Sequence, residues 1–199
     1  MKWQISYSES DFYKGKNCKN TFDYICKSKW SSNQLLLLSQ PKSGKTHLAH
    51  IWKKRKNALF INPNIKFTDQ PIIIDEVDKL LNHSWTMNTY FYAKAKSIPT
   101  LWISNKNISE WTAPYDIISR FESMPKVKFN DLTEQSAIPI VQKQFRDFGL
   151  HASRKLAAYL LQKISLNYES IHSSIIQIHN NCLLTQSALT MQIIRDTIC

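Results

Sequence analysis

Short apolar runs and stretches of helical apolar spacing alternate over the first two thirds of the chain. Four of the runs are too short for a buried helix and are bounded by polar residues, which predicts strands buried on both faces of a sheet. They span residues 35–38, 58–61, 72–74 and 99–103, and a further run at 127–129 predicts a fifth strand. Helical spacing occurs around residues 22–25 and over 47–56 and 77–96. This alternation indicates the α/β class, with a parallel sheet covered by helices.

The pattern changes after residue 131, where helical apolar spacing continues without any strand-like run. Helices are predicted over residues 132–148, 153–164, 168–180 and 187–198. Thr133-Glu134 and Ser153 are residue types that start helices, and Gly149 is placed to end one. The sequence therefore predicts an α/β domain over residues 1–129 and a small all-α domain over residues 130–199.

Composition indicates a folded protein. Its 199 residues are 43% hydrophobic and 12% aromatic, which excludes a disordered or low-complexity chain. No apolar run reaches the roughly 18 residues of a membrane helix, and the first six residues lack a signal-peptide core. The four cysteines form no CxxC pair, so free thiols and no cysteine metal site are expected. We therefore expect a soluble, cytoplasmic protein without a membrane partner.

The net charge and the number of glycines bear on which partners the protein could bind. The formal charge is +11, from 26 Lys and Arg against 15 Asp and Glu, which suggests nucleic acid, phosphate or acidic partners. A general bias toward Lys, Asn and Ile explains the same number without any partner. The chain has only 3 glycines, Gly15, Gly44 and Gly149, which argues against a glycine-dense loop.

A candidate phosphate-binding loop lies between the first predicted strand and the next helix. It matches GxxxxGK[ST] except at its first position, where serine replaces glycine. Its residues are Ser39, Gln40, Pro41, Lys42, Ser43, Gly44, Lys45 and Thr46. In such a loop backbone N–H groups surround phosphate, the lysine reaches the β- and γ-phosphates, and the threonine hydroxyl binds Mg²⁺. The alternative is an ordinary strand–turn–helix connection, and the Cβ of Ser39 predicts weaker binding.

An acidic pair follows the third apolar run. Asp75 is placed to hold Mg²⁺ through water, and Glu76 to polarise an attacking water. Alternatively, both residues simply begin a helix, where acidic side chains interact favourably with the dipole. The phosphate-loop motif upstream favours the functional interpretation.

These segments together resemble the AAA+ ATPases, and more narrowly the DnaA/Hda group of bacterial replication proteins. The resemblance rests on GKTHLAH at 44–50, IIDEVD at 73–78, Trp111, DIISRF at 116–121, and the stretch 11–17. It implies a P-loop nucleotide-binding domain over residues 1–129 followed by a helical lid. It also implies ADP or ATP with Mg²⁺ as ligands, with Thr46 and Asp75 on the metal side. His47 belongs to the loop motif, and Phe12 to the stretch that flanks the adenine base.

The resemblance also implies a regulatory role. Arg120 would be an arginine finger that acts on the ATP bound to DnaA, as in Hda, which negatively regulates initiation of chromosomal replication. The alternative for Arg120 is a surface side chain capping a helix end. Hda-like proteins carry an N-terminal peptide that binds the sliding clamp, and residues 4–7 resemble a reduced version of it. Because no DNA-reading domain is expected in this chain, contact with DNA would be indirect, and an oligomer is compatible with the group.

Some positions depart from the group's pattern. The lid position that normally carries a sensing arginine corresponds to Glu169 or Ser170, and neither is cationic. Asn105 is retained as a residue that can orient water, but Lys106 stands where the group often has an acid. Weak or absent hydrolysis by the chain itself is therefore expected. Two other functions remain open: a basic DNA-binding or loader-type module, and a self-contained ATPase.

Overall fold

A computed structural model describes residues 7–15, 18–65, 67–81 and 84–198. Contacts within it divide these residues into two units. One contains residues 7–12 and 18–129, and the other contains 13–15 and 130–198. Of the predicted clamp-binding residues, Gln4, Ile5 and Ser6 lie outside the described part of the chain.

The first unit is a five-stranded parallel sheet with helices. Its strands are β1 (Gln34–Leu38), β2 (Leu59–Phe60), β3 (Ile72–Ile74), β4 (Thr100–Ser104) and β5 (Lys126–Lys128). They are ordered β2-β3-β4-β1-β5, and every pair is parallel. The helices are α1 (Lys19–Lys27), α2 (Lys45–Lys56), α3 (Ser84–Ala95) and α4 (Tyr115–Glu122). The predicted α/β class with a parallel sheet is confirmed.

Alternate residues of β1, which lies between β4 and β5, pack into two separate cores. Leu36 and Leu38 belong to a cluster that contains Trp102 of β4 and Phe121 of α4. Leu35 and Leu37 belong to a second cluster, on the α1 and α2 side, that contains Phe22, Ile25, Leu48 and Trp52. Since side chains alternate across a strand, a strand that is buried on both faces must be apolar throughout.

The prediction of one helix over 77–96 is wrong. The chain forms a short 3₁₀ turn at Val77–Lys79, and α3 begins only at Ser84. Glu76 has φ 53°, so the chain enters this segment from a left-handed residue rather than from an ordinary helix cap. The hydroxyl of Thr86 donates to the carbonyl of Leu80 at 2.6 Å and so joins the two pieces. Apolar spacing alone did not reveal this interruption.

The second unit is helical over residues 130–198. Its helices are α5 (Glu134–Asp147), α6 (Arg154–Leu161), α7 (Tyr168–Leu184) and α8 (Met191–Ile198). Their shared core includes Val141, Phe145, Leu160 and Ile175. No helix among the described residues is long and apolar enough to span a membrane.

The predicted helix signals in this unit hold at three positions. Thr133 accepts a hydrogen bond from the backbone of Ser136 at the start of α5, and Ser153 accepts one from Leu156 at the start of α6. Gly149 follows α5 with φ 74°, as expected for a residue that ends a helix. The last helix begins at Met191 instead of residue 187, because the hydroxyl of Thr190 accepts from the backbone of Ile193 and so caps it there.

Candidate functional site

The predicted phosphate loop connects the carboxyl end of β1 to the first turn of α2. Its left-handed backbone lies at Lys42, with φ 60°, and at Gly44, with φ 97°. Ser39 has no positive φ, so the serine that replaces the first glycine of the motif is not at a strained position. The conformational cost of a side chain at positive φ falls on Lys42 instead. The weaker nucleotide binding expected from Ser39 stays a prediction.

Lys45 is held inside this loop. Its Nζ donates to the carbonyl oxygens of Ser39 at 2.6 Å and Gln40 at 2.5 Å, and it lies 3.4 Å from the hydroxyl of Ser43. The side chain is only 4% exposed. The loop thus curls around a buried ammonium group, which is the charge that a phosphate binding there would meet.

The charge of Lys45 is sensitive to its surroundings. Burial lowers its pKa from the ordinary 10.5 to about 8, although the carboxylates of Asp75, Asp78 and Glu76 act in the opposite direction. Burial disfavours the charged form of a lysine, and neighbouring anions favour it. The ammonium group is therefore close to losing its proton at mildly alkaline pH.

Asp75 lies beside the loop because β3 ends next to it. The hydroxyl of Thr46 donates to Oδ2 of Asp75 at 2.8 Å, and Oδ1 accepts the backbone N–H of Glu76 at 2.9 Å. The structure therefore brings together the two predicted metal-side residues. Mg²⁺ prefers oxygen ligands and typically takes one or two from protein, with the others from phosphate and water, and this donor pair fits that requirement. Within the described residues no group of three or more His, Cys, Asp or Glu is arranged to hold a metal by itself.

Glu76 and Asn105 also meet at this edge of the sheet. Nδ2 of Asn105 donates to Oε1 of Glu76 at 3.3 Å, and the backbone N–H of Asn105 donates to Oδ1 of Asp78 at 2.9 Å. The same Oε1 accepts from Nζ of Lys79 at 2.7 Å. Lys79 was not predicted as a site residue, and its position three residues after Glu76 is the signal that could have identified it. It engages the carboxylate that was predicted to polarise water.

Residues 7–12 pack against α2. Phe12 is 8% exposed, and its ring meets His47 edge-on at 5.2 Å and Phe22 at 5.5 Å. Nε2 of His47 lies 2.8 Å from the carbonyl oxygen of Ser8, and Tyr7 stacks on His50 at 4.0 Å. A Cβ added at Gly44 would lie 3.6 Å from the ring of Phe12, so the predicted base-flanking residue packs directly against the phosphate loop.

Arg120 lies near the end of α4, and its side chain packs against an aromatic ring of the same chain. Its guanidinium carbon is 4.7 Å from the ring centre of Phe91 on α3, and the Phe91 side chain is 47% exposed. Nε of Arg120 is buried and has no hydrogen-bond partner in the described parts of the chain, where no ion pair involves this residue either. Ile117 and Phe121, on either side of it, are buried and anchor α4. The side chain therefore does not cap its helix, which leaves a cation without a counter-ion.

No protein-family model and no curated protein sequence matches the chain. Solved structures do match it. Domain III of the replication initiation protein DnaA from Thermotoga maritima superposes with a TM-score of 0.74 at 14% identity, covering 100% of this chain and 99% of that one. The replication initiator DnaA bound to AMPPCP and single-stranded DNA gives 0.70 at 15% identity, covering 94% and 70%. The chain has a DnaA-like AAA+ fold.

The same AAA+ architecture occurs in a second kind of protein. The RuvB Holliday junction branch migration motor of Thermotoga maritima superposes with a TM-score of 0.69 at 13% identity, covering 96% of this chain and 71% of that one. The predicted AAA+ fold is therefore confirmed. Identities this low establish the fold alone.

Within this AAA+ fold the predicted residues form separate groups. The phosphate loop, Asp75, Glu76 and Asn105 meet at the carboxyl ends of β1, β3 and β4. Arg120 makes no hydrogen bond or ion pair with that group within the described residues. Glu169 and Ser170 lie in the first turn of α7, in the helical unit.

Proposed function

We propose that this chain is a DnaA-related AAA+ regulatory protein, similar in role to Hda, that promotes hydrolysis of ATP bound to DnaA and so restrains replication initiation. In this proposal residues 1–129 bind ADP or ATP and residues 130–199 act as a lid. The observation that carries the proposal is Arg120, a cation that has no counter-ion among the described residues and that packs on Phe91 instead of its own phosphate loop.

Nucleotide binding rests on Lys45, Thr46 and Asp75. The ammonium group of Lys45, now bonded to loop carbonyls, would turn to the phosphates of the nucleotide. Thr46 and Asp75 would hold Mg²⁺, which neutralises phosphate charge when bound. The N–H groups at the start of α2 would complete the phosphate site, since a helix N-terminus favours negative charge.

Arg120 would act in a partner's nucleotide site. A guanidinium group placed against the transferring phosphate stabilises the charge that develops in the transition state. Within one chain, Arg120 contacts Phe91 and not the loop. Action on a second molecule, here DnaA, therefore suits its position better than action on its own nucleotide.

Slow hydrolysis by the chain itself fits the contacts of Glu76. Oε1 of this carboxylate already accepts from Lys79 and Asn105. A water that this oxygen is to polarise would have to compete with both donors. Catalysis in trans requires only Arg120 and is not affected by these contacts.

Binding to a sliding clamp through residues 4–7 belongs to the same proposal. Tyr7, the described member of that peptide, stacks on His50 with its ring plane 10° from parallel. A clamp that takes up the Tyr7 side chain would have to separate these two rings. In this arrangement the clamp would bring the protein to DnaA, and the contact with DNA would be indirect.

The proposal is tested by mixing the protein with ATP-loaded DnaA, sliding clamp and DNA, and measuring phosphate release. Hydrolysis should be faster than with DnaA, clamp and DNA alone. Omitting DnaA gives the chain's own turnover, which must be subtracted. Phosphate release that is the same with and without the protein would contradict the proposal.

Phe91 should act as a positioning residue for Arg120. Replacing it in Phe91→Leu removes a cation–π contact of about 0.5–2 kcal/mol, so we expect stimulation of DnaA-bound ATP hydrolysis to fall about 2- to 30-fold. Phe91→Tyr, which keeps an aromatic ring, should restore most of it. Phe67→Leu is the matched control, because Phe67 is a similarly exposed ring that stacks on Tyr92 instead. Equal losses in Phe91→Leu and Phe91→Tyr would contradict this role.

Nucleotide affinity should depend on pH through Lys45. The free protein loses the Lys45 proton near pH 8, and a bound phosphate raises that pKa, so binding takes up a proton above pH 8. Affinity for ATP should therefore be nearly constant from pH 6.5 to 7.5 and fall about tenfold between pH 7 and pH 9. Calorimetry in two buffers of different ionisation enthalpy measures both affinity and proton uptake. Binding without proton uptake at pH 8.5 would contradict this expectation.

A further inference from the structure

A second pocket opens at the opposite edge of the sheet from the phosphate loop. Its volume is about 370 Å³, and it lies where the loop after α1 meets the end of α2 and the residue before β4. The phosphate loop follows the carboxyl end of β1, whereas this pocket borders the amino end. Six residues at about 3.3 Å each put roughly 20 Å between the two sites, so they are separate.

Two stacked tryptophans form the aromatic part of this pocket. The ring centres of Trp30 and Trp52 are 5.1 Å apart, with the planes 12° from parallel. Trp52 is 1% exposed, whereas Trp30 is partly exposed and lines the opening. Nε1 of Trp52 is buried and has no hydrogen-bond partner among the residues that the structure describes. We name this feature the indole pocket, after Trp30 and Trp52.

The charged part of the indole pocket is cationic. Lys29 and Lys56 both line it and are exposed, and its lining contains no carboxylate. Neither lysine has an ion pair within the described residues, unlike Lys27, which is paired with Asp23. Lys53 and Lys54 precede Lys56 on the last turn of α2, so positive charge continues beyond the pocket.

The loop that carries Trp30 is held in place at its carboxyl end. Nδ2 of Asn33 donates to the carbonyl oxygens of Ala93 at 3.0 Å and Ile98 at 3.3 Å, and the carbonyl oxygen of Asn33 accepts from Thr100. The backbone of Gln34 donates to the hydroxyl of Ser32. A fixed loop loses little conformational entropy when a ligand binds.

We propose that the indole pocket binds a nucleotide unit of single-stranded nucleic acid, with a base against Trp30 and flanking phosphates at Lys29 and Lys56. Stacking on an indole and unpaired cations are the two contacts that proteins use to hold single strands without sequence preference. Inorganic phosphate would use the lysines but not the indole. The positive charge continuing along α2 favours a strand over a free nucleotide. This direct contact would add to the indirect contact proposed through the clamp, and it does not depend on the role proposed for Arg120.

The test measures binding of fluorescein-labelled (dT)12 to the full chain by anisotropy, from 25 to 200 mM NaCl. Trp30→Ala should weaken binding about 5- to 150-fold, the range expected for loss of base stacking, with little change in the salt dependence. Trp30→Phe should retain most of the affinity, which shows that the ring matters and guards against a folding defect.

Charge is tested with the pair Lys29→Ala and Lys56→Ala made together. We expect weaker binding and a slope of log affinity against log salt that is smaller by about 1.4, from two lost phosphate contacts. The control pair, Lys155→Ala with Lys163→Ala, removes two exposed lysines from the helical unit and should leave the slope unchanged.

Several results would overturn the proposal. These are no binding of (dT)12 by the parent protein at 25 mM NaCl, parental affinity in Trp30→Ala, or equal effects of the two lysine pairs. Displacement of (dT)12 by dTMP at equal phosphate concentration would mean that the pocket takes a free nucleotide and not a strand. Binding that survives dTMP, together with the losses expected above, supports the strand.

Discussion

Arg120→Ala should reduce phosphate release from ATP-loaded DnaA to the rate measured without the protein. Arginine fingers contribute about 10³- to 10⁵-fold to kcat, which makes this the largest effect expected of any single substitution here. Arg120 has no counter-ion among the described residues and stacks on a partly exposed ring, so its removal breaks no ion pair among them. The expected loss therefore reports on the partner's transition state and not on folding of the chain.

Two further variants make this result specific. Arg120→Lys keeps the charge but loses the planar group that contacts phosphate in two places, so most of the stimulation should still be lost. Arg154→Ala removes an exposed arginine from the first turn of α6 and should stimulate as well as the parent protein. Arg120→Ala that stimulates like the parent would show that another group carries the activity, or that there is no finger.

Lys45→Ala should weaken binding of ATP by roughly 10- to 150-fold. A charge-assisted hydrogen bond of about 1.5–3 kcal/mol is lost, and the loop loses the ammonium group around which it is built. Equilibrium binding of a fluorescent ATP analogue measures the change. Lys54→Ala, which removes an exposed lysine from the same helix, should bind ATP like the parent.

The lysine variant also separates nucleotide binding from action in trans. Arg120 is intact in Lys45→Ala. In the proposed mechanism the finger acts without this chain's own nucleotide, so stimulation of DnaA should be retained. Unchanged ATP affinity in Lys45→Ala would contradict the assignment of the phosphate loop. Denaturing the purified protein and separating the released nucleotide by chromatography shows whether it carries ADP or ATP.

Local sequence patterns were enough to predict the parallel sheet and the site residues at the carboxyl ends of its strands. Strands such as Leu35–Leu38 are buried on both faces, and that requirement is visible as an uninterrupted apolar run. A motif that directly follows such a strand must lie at the carboxyl end of the sheet, because the strand ends there. Thr46 and Asp75 could therefore be predicted as neighbours although 29 residues separate them in sequence.

Backbone conformation was less accessible from sequence. The substitution of glycine by Ser39 suggested strain at that position, but the positive φ values fall on Lys42 and Gly44. The helix predicted over 77–96 is interrupted, with Glu76 left-handed before it. Both differences have one cause, since only proline fixes φ and the other residue types leave several φ values open.

By itself, then, the sequence determined the α/β class with a parallel sheet, the strand–loop–helix that carries Lys45, and the acids that meet it, because all of these follow from short-range periodicity and adjacency. Tertiary structure alone decided that Phe91 lies under Arg120 and that Trp30 stacks on Trp52. Both contacts join residues that are more than 20 positions apart in the sequence. Packing of whole elements against one another sets such distances, and no local pattern encodes them.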